Sequence, residues 1–109
     1  MANTFKLATD TAVGTSPSTV YTCPASTATT VIGLTVANIE TSQIEVDVQV
    51  TNNDGDNVYL IKNAPVPVGS SLVVVGGEQK VVLEESDTIQ VTSNTASSAD
   101  VALSILEIS

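Results

Sequence analysis

The chain has 109 residues, of which 42% are hydrophobic, 14% are charged and 3% are aromatic, and its formal net charge is −9. This length supports one domain with a real core, and the high apolar share argues against disorder. The chain has no His and only three basic residues. Its acidic character therefore argues against nucleic-acid binding and against attachment to anionic membranes.

The N-terminal segment is mixed in character. Its apolar residues Phe5, Leu7 and Val13 are separated by small and polar ones, and a turn-type run of Gly, Ser and Pro follows. It has no apolar stretch of signal-peptide length, which predicts synthesis in a cytoplasm. We therefore predict an N-terminal arm over residues 1–18, with room for one short strand, and a β-sandwich domain over residues 19–109.

Two strands are predicted next, over residues 20–23 and 30–39. In the second strand, Ile32, Leu34 and Val36 fall on one face, because side chains alternate along a strand. The other face carries smaller, weakly apolar residues, which suit a position covered by a neighbour.

Residues 43–51 show the cleanest alternation in the chain. Four aliphatic side chains alternate with polar ones, namely Ile44, Val46, Val48 and Val50. A period of two places all four on one face of a strand, whereas a helix would scatter them around its circumference. Burying each of them would contribute roughly 1.5–3 kcal/mol.

Turn signals separate the strands that follow. Asp54-Gly55 predicts a hairpin that returns over residues 58–62, because both residues tolerate positive φ. Two prolines make residues 63–71 a connection at a sheet edge or between sheets. A second hairpin is predicted at Gly76 to Gln79, between strands at residues 72–75 and 80–83.

The last two strands are predicted over residues 88–93, with Ile89 and Val91 inward, and over residues 100–109. The final strand is apolar on both faces, which predicts either a position under the N-terminal arm or a contact with another subunit. The tally is about eight or nine short strands without a helical period. The predicted fold is all-β, a single antiparallel β-sandwich of the jelly-roll or Greek-key type.

The hairpin tip is the one candidate for a metal. Its oxygen-bearing side chains are those of Asn52, Asp54, Asp56 and Asn57, and a hard cation such as Ca²⁺ needs several oxygen ligands. The alternative is a plain solvated turn, for which Asn, Asp and Gly are the expected residues. The twelve-residue loop pattern with its terminal Glu does not accompany this tip, so no metal is predicted.

The sequence offers little to catalysis. Glu84, Glu85 and Asp87 form an acidic turn without aromatic rings to bind a sugar, which favours a solvated turn over paired catalytic carboxylates. Cys23 has no second cysteine to pair with and no His to activate it, so we interpret it as a small, half-buried apolar residue. We predict no enzyme and no cofactor.

Four segments of the chain are similar to one group of proteins. Residues 20–26 (VYTCPAS), 31–38 (VIGLTVAN), 59–72 (YLIKNAPVPVGSSL) and 87–93 (DTIQVTS) resemble small virion structural proteins of tailed bacteriophages, especially those of phages that infect cyanobacteria. The similarity covers residues 20–109 and consists of turn-and-strand patterns. It supplies no functional residues.

The resemblance implies a β-sandwich that decorates or cements the exterior of a capsid and is made in the cytoplasm of a bacterial host. The expected partners are the major capsid protein and the chain itself, as a homotrimer or another homo-oligomer, with no nucleic acid and no membrane. The residues expected at a partner interface are Phe5, Leu7, Val13, Leu106 and Ile108.

Two other functions stay open from the sequence. The first is a tail, neck or fibre subunit, which differs from a shell protein in copy number per particle. The second is a carbohydrate-binding module, which would need aromatic rings to stack on a sugar. Only Tyr21 and Tyr59 are available for that.

Overall fold

The computed structural model describes residues 2–76 and 80–109 of the chain. These residues form two antiparallel sheets that enclose one aliphatic core, which confirms the predicted all-β sandwich. No helix that could cross a membrane occurs in the part of the chain that the structure describes. The strands are β1 (Asn3–Val13), β2 (Ser18–Thr22), β3 (Ala28–Asn38), β4 (Ile44–Thr51), β5 (Asn57–Val66), β6 (Ser71–Val75), β7 (Val81–Leu83), β8 (Thr88–Ser93) and β9 (Ala99–Ile108).

The strand order is that of a jelly roll, one of the two predicted topologies. The first sheet has the order β1-β9-β3-β6, with β7 also paired to β3, and the second has the order β2-β8-β4-β5. Successive strands alternate between the sheets except at the β4–β5 hairpin and from β6 to β7. Two four-stranded layers connected in this way define a jelly roll, in which β6 and β7 together occupy the place of one strand.

The core lies between the sheets and is built from alternate positions of β4, β8 and β9, as their period of two predicts. Val50, at the end of β4, is only half-buried. The other predicted inward side chains of β4 and β8 are buried, and so is one of the two apolar faces of β9: Ile44, Val46, Val48, Ile89, Val91, Val101, Leu103 and Ile105.

A β-bulge in β3 changes the predicted face of one residue. The register against β9 shifts between Val31 and Gly33, which leaves Ile32 as an extra residue in the strand. Val31 is buried on one side of the bulge and Leu34 on the other, while Ile32 is half-exposed. The prediction that Ile32 shares a face with Leu34 is therefore wrong.

The second predicted hairpin is also wrong. β6 pairs with residues 34–37 of β3 and β7 pairs with residues 29–31, so within the described residues the two strands lie end to end along β3. Three of the four predicted turn residues, 77–79, lie outside the described residues.

The first hairpin is present. Its tip is closed by hydrogen bonds from Asn52 N–H to the Asp56 carbonyl (3.0 Å) and from Gly55 N–H to the Asn52 carbonyl (2.9 Å). Gly55 alone of the Asp-Gly pair has a positive φ, at 91°. The returning strand β5 is longer than predicted and includes Pro65, which is tolerated because β5 is an edge strand.

The N-terminal segment forms a longer strand than the sequence predicts. β1 has 11 residues and pairs with β9 from Asn3 to Asp10 without a register shift. It lies at the edge of the first sheet, beside β9 and not over it. Of the two explanations for the two-sided apolar character of β9, cover by the arm is therefore wrong, and a subunit contact stays a prediction.

Candidate functional site

The outward side of the five-stranded sheet is the main candidate for a functional surface. Phe5 and Leu7 of β1 are 74% and 67% exposed, and Val73 of β6 and Val82 of β7 are each 64% exposed. The pairing register brings further outward residues between them. We call the following set the outer face: Asn3, Phe5, Leu7, Thr9, Ala28, Thr30, Gly33, Thr35, Val73, Val82, Ala102, Ser104, Leu106 and Ile108.

The outer face carries no charged residue although the chain has a net charge of −9. Asp100 is the next outward residue of β9, opposite Ala37 of β3, and it borders the outer face; its carboxylate accepts a hydrogen bond from the Ala12 backbone N–H (3.0 Å). Four strands about 4.8 Å apart, over about seven residues of about 3.3 Å each, give the outer face an area of about 450 Å². Eight of its fourteen residues are apolar, five are uncharged polar residues and one is Gly, and the largest such patch on a small protein is often an interaction site.

The structure separates the five residues predicted for a partner interface. Phe5 and Leu7 are exposed, and Leu106 and Ile108 are half-buried on the same outer face. Val13 is only 3% exposed and belongs to the core. Val13 is therefore unavailable to a partner, because the register shift between Asp10 and Val13 turns it inward at the end of β1.

The outward side of the other sheet is mostly polar, with the exposed ring of Tyr59 on its edge strand β5. The Gln49 side-chain amide donates to the Gln90 amide oxygen (2.8 Å), and Gln90 donates to the Thr19 hydroxyl (3.2 Å). Lys62 pairs with Asp47 (3.5 Å). The two outward sides thus differ sharply, one suited to water and the other to an apolar partner.

The two acidic turns meet at one end of the sandwich. The β4–β5 tip and the turn before β8 enclose a hollow of about 280 Å³. About 30 residues separate these turns along the chain, so their sequence does not show that they meet. The hollow is lined by Asn52, Asn53, Asp54, Glu84, Glu85 and Asp87.

The side-chain oxygen atoms of this hollow that could best bind a cation already accept hydrogen bonds from backbone N–H groups. The two carboxylate oxygens of Asp87 accept hydrogen bonds from the N–H groups of Asn53 and Glu84, each at 2.9 Å. The side-chain oxygen of Asn52 accepts from the N–H groups of Asp54 (3.0 Å) and Asp56 (2.9 Å). Among the described residues no three His, Cys, Asp or Glu side chains form a group that could hold a metal ion. The arrangement is that of two turns held together by hydrogen bonds.

A second polar cluster lies between the sheets and was missed by the sequence analysis. Glu107 of β9 accepts hydrogen bonds from the Tyr21 hydroxyl of the other sheet (2.5 Å) and pairs with Lys6 of β1 (2.9 Å). The Tyr21 hydroxyl also lies 3.0 Å from the Thr29 hydroxyl. The sequence did hold a signal for the burial of Glu107, because alternate residues of a strand share a face and Glu107 continues the series Val101, Leu103 and Ile105, which is buried.

Hydrogen bonds from Tyr21 and Lys6 hold the pKa of Glu107 below its ordinary value. Burial, with help from the hydrogen bond to Glu107, raises the pKa of Tyr21 to about 12. The carboxylate is thus stabilised in its charged form and the phenol in its neutral form. This Tyr–Glu pair therefore links the sheets at every pH between the pKa of Glu107 and the pKa of Tyr21.

We expect the stability of the protein to depend on this pair at both ends of the pH scale. Glu107 contributes stability above its unfolded pKa, and the contribution is lost as pH falls through the lower folded value. Tyr21 contributes below pH ~10, and the contribution is lost as pH rises toward 12. Urea unfolding of the wild type and of Tyr21→Phe should show a stability difference that shrinks between pH ~10 and 12. An equal effect from Tyr59→Phe, the matched control on the edge strand β5 of the same sheet, would contradict this assignment.

The remaining candidates play structural roles. Cys23 is fully buried, not half-buried, with its sulfur 3.3 Å from the Thr29 hydroxyl. Tyr21 and Tyr59 have different surroundings. The Tyr21 hydroxyl is bonded to Glu107 of the opposite sheet, whereas the Tyr59 ring is exposed beneath Lys62 (4.5 Å to the ring centre). They do not form a common platform for a sugar ring.

No protein-family model matches the chain, and no curated protein matches it either.

Proposed function

We propose that this protein is a structural component of a tailed-phage virion, a decoration or cement protein that binds the major capsid protein on the outside of the shell. The observation that carries the proposal is the charge-free outer face on a chain of net charge −9. An apolar face attaches to another protein surface by excluding water, and the acidic remainder keeps the protein soluble and repels packaged nucleic acid.

The fold supports this proposal by analogy. Jelly rolls recur in viral capsid proteins and in lectins, although a fold alone does not assign a function. The absence of a shared aromatic platform at Tyr21 and Tyr59 favours the virion role over the carbohydrate-binding one. The described acidic residues form turns and ion pairs, which gives no support to an enzyme.

The outer face is small for a specific complex. Its area of about 450 Å² compares with about 800 Å² that each partner contributes to a standard interface. Many copies on a repeating shell would compensate, because linked weak contacts act together through avidity. Bridging two shell subunits would then stabilise the head against the pressure of the packaged genome.

Binding to shells tests the proposal directly. We expect purified protein to co-sediment with shells that lack it, and Val73→Asp or Val82→Asp to lower the bound amount at least about tenfold, since a carboxylate in an apolar contact is costly. Val58→Asp is the matched control, because Val58 is 54% exposed on the other sheet.

Copy number per particle separates the shell from the tail. Quantitative mass spectrometry of purified virions should give hundreds of copies for a shell decoration, whereas a few dozen or fewer would assign the protein to the tail or neck. Normal binding by Val73→Asp and Val82→Asp would instead exclude the outer face as the attachment surface.

A further inference from the structure

We propose that the free edge of β1 pairs with β1 of a second copy of this chain, antiparallel and around a twofold axis, so that two first sheets become one continuous sheet. The dimer itself follows from the edge, and only the use of the enlarged surface rests on the proposed function.

Backbone hydrogen bonds show which groups of β1 face outward. Ala2 and Ser109 exchange both of their backbone bonds, at 2.8 and 3.0 Å. Hydrogen-bonded and non-hydrogen-bonded pairs alternate along an antiparallel ladder. The N–H and C=O groups of four β1 residues therefore point away from β9 toward the free edge: Asn3, Phe5, Leu7 and Thr9.

Between Asn3 and Thr9 this edge lacks most of the devices that commonly prevent strand pairing, and its one charged side chain, Lys6, is paired with Glu107 (2.9 Å). Such devices include short strands, prolines, bulges and charged side chains. The other sheet's edge strand β5 contains Pro65, a positive φ at Asn63 and two register shifts against β4. β2 and β6 have only five residues each. By contrast, β1 runs from Asn3 to Thr9 in unbroken register and without proline.

One register uses the whole edge. If the twofold axis passes beside Lys6, Phe5 of one copy lies opposite Leu7 of the other, and Asn3 lies opposite Thr9. All four outward residues of each strand then form hydrogen-bonded pairs, and the most exposed apolar side chains of the two copies meet on one face. The two Lys6 side chains would oppose each other, but each has its own Glu107 carboxylate at 2.9 Å.

The geometry of this dimer enlarges the outer face. A twofold axis perpendicular to the sheet keeps both outer faces on the same side, so their combined area is about 900 Å². That matches the roughly 800 Å² that one partner contributes to a standard interface, which a single copy does not reach. The dimer would thus present a full-sized, charge-free docking surface.

Net charge opposes the association and makes it salt-dependent. Two copies of charge −9 repel each other, and added salt screens that repulsion. Electrostatic repulsion between the two copies is weak at the free edge of β1, because the outward residues of β1 are uncharged. We therefore expect the dimer to strengthen as ionic strength rises, the opposite of an ion-pair interface.

Sedimentation of the purified full chain tests the inference. The 11.2 kDa chain should sediment as two copies at tens of micromolar, and Leu7→Pro should weaken the association at least about tenfold. Proline at position 7 removes an N–H that points outward, so it spares the bonds to β9. Circular dichroism should confirm that the variant is folded. Val73→Asp, equally exposed on the far edge of the same face, should leave the dimer unchanged.

Hydrogen exchange gives a second measurement that keeps the backbone intact. Amide protection of Phe5 and Leu7 should rise with protein concentration, while that of Lys6, which bonds to β9, should not. A monomer or a trimer, or a dimer with wild-type affinity in Leu7→Pro, would overturn the inference. A dimer that fails to bind shells would instead count against the proposed function alone.

Discussion

Replacing Glu107 with alanine is expected to lower the free energy of unfolding by about 2 kcal/mol, because the change removes the acceptor of a charged hydrogen bond between the sheets. The Tyr21 hydroxyl loses its 2.5 Å bond, and Lys6 loses its 2.9 Å partner. Lys6 is half-exposed and regains water, so most of the cost arises at Tyr21 and in the space that the side chain leaves. Urea denaturation at pH 7 measures the change.

A double-mutant cycle isolates the bond between the sheets. Tyr21→Phe removes the donor and Glu107→Gln keeps the size of the acceptor, and the two changes together should cost less than the sum of the two alone. Additive costs would show that the two side chains stabilise the fold separately. Lys6→Met is the control for the ion pair and should cost under about 1 kcal/mol, because an ion pair with an exposed lysine contributes little.

The sequence predicts this fold well for strands that have one buried face and one solvent-exposed face. β4 and β8 alternate strictly, and the structure buries Ile44, Val46 and Ile89 as their period requires. Period-two alternation reports burial directly, since successive side chains point to opposite faces. The two-layer, helix-free architecture follows from the repetition of such segments.

Prediction fails where pairing partners decide the outcome. A bulge displaces Ile32 where the register of β3 against β9 shifts. The alternation pattern of one strand does not show which strand will pair with it or in which register. The segments flanking Gly76 have the appearance of a hairpin, yet both pair with β3. Local turn signals identify where the chain can bend, but long-range hydrogen bonds determine which strands meet.

The candidate surface shows the same division. Phe5, Leu7, Leu106 and Ile108 are apolar in the sequence, but only the β1–β9 pairing brings them onto one face. The residues of the outer face come from five strands, so the sequence of one strand does not show that the whole face is uncharged. Glu107 illustrates the converse, because its inward parity was present in the sequence while its partner Tyr21 is 86 residues away.

Truncation of two leucines on β9 should lower the stability of the protein by very different amounts. Leu103→Ala is expected to destabilise the protein by about 2–5 kcal/mol, because Leu103 is completely buried and its removal leaves a cavity in a close-packed core. Leu106→Ala, three residues along β9, should cost under about 1.5 kcal/mol, since that side chain is half-exposed on the outer face. Thermal and urea unfolding of both variants give the comparison.

The same pair of variants distinguishes a core from a docking surface. If the outer face binds the shell, Leu106→Ala should weaken co-sedimentation with shells while the fold is almost unchanged, because the lost apolar area belongs to the contact and not to the core. Leu103→Ala, assayed well below its lowered melting temperature, should bind normally. Equal destabilisation by the two changes would mean that β9 is buried on both sides within one subunit, and the outer face would then lose its role as an attachment surface.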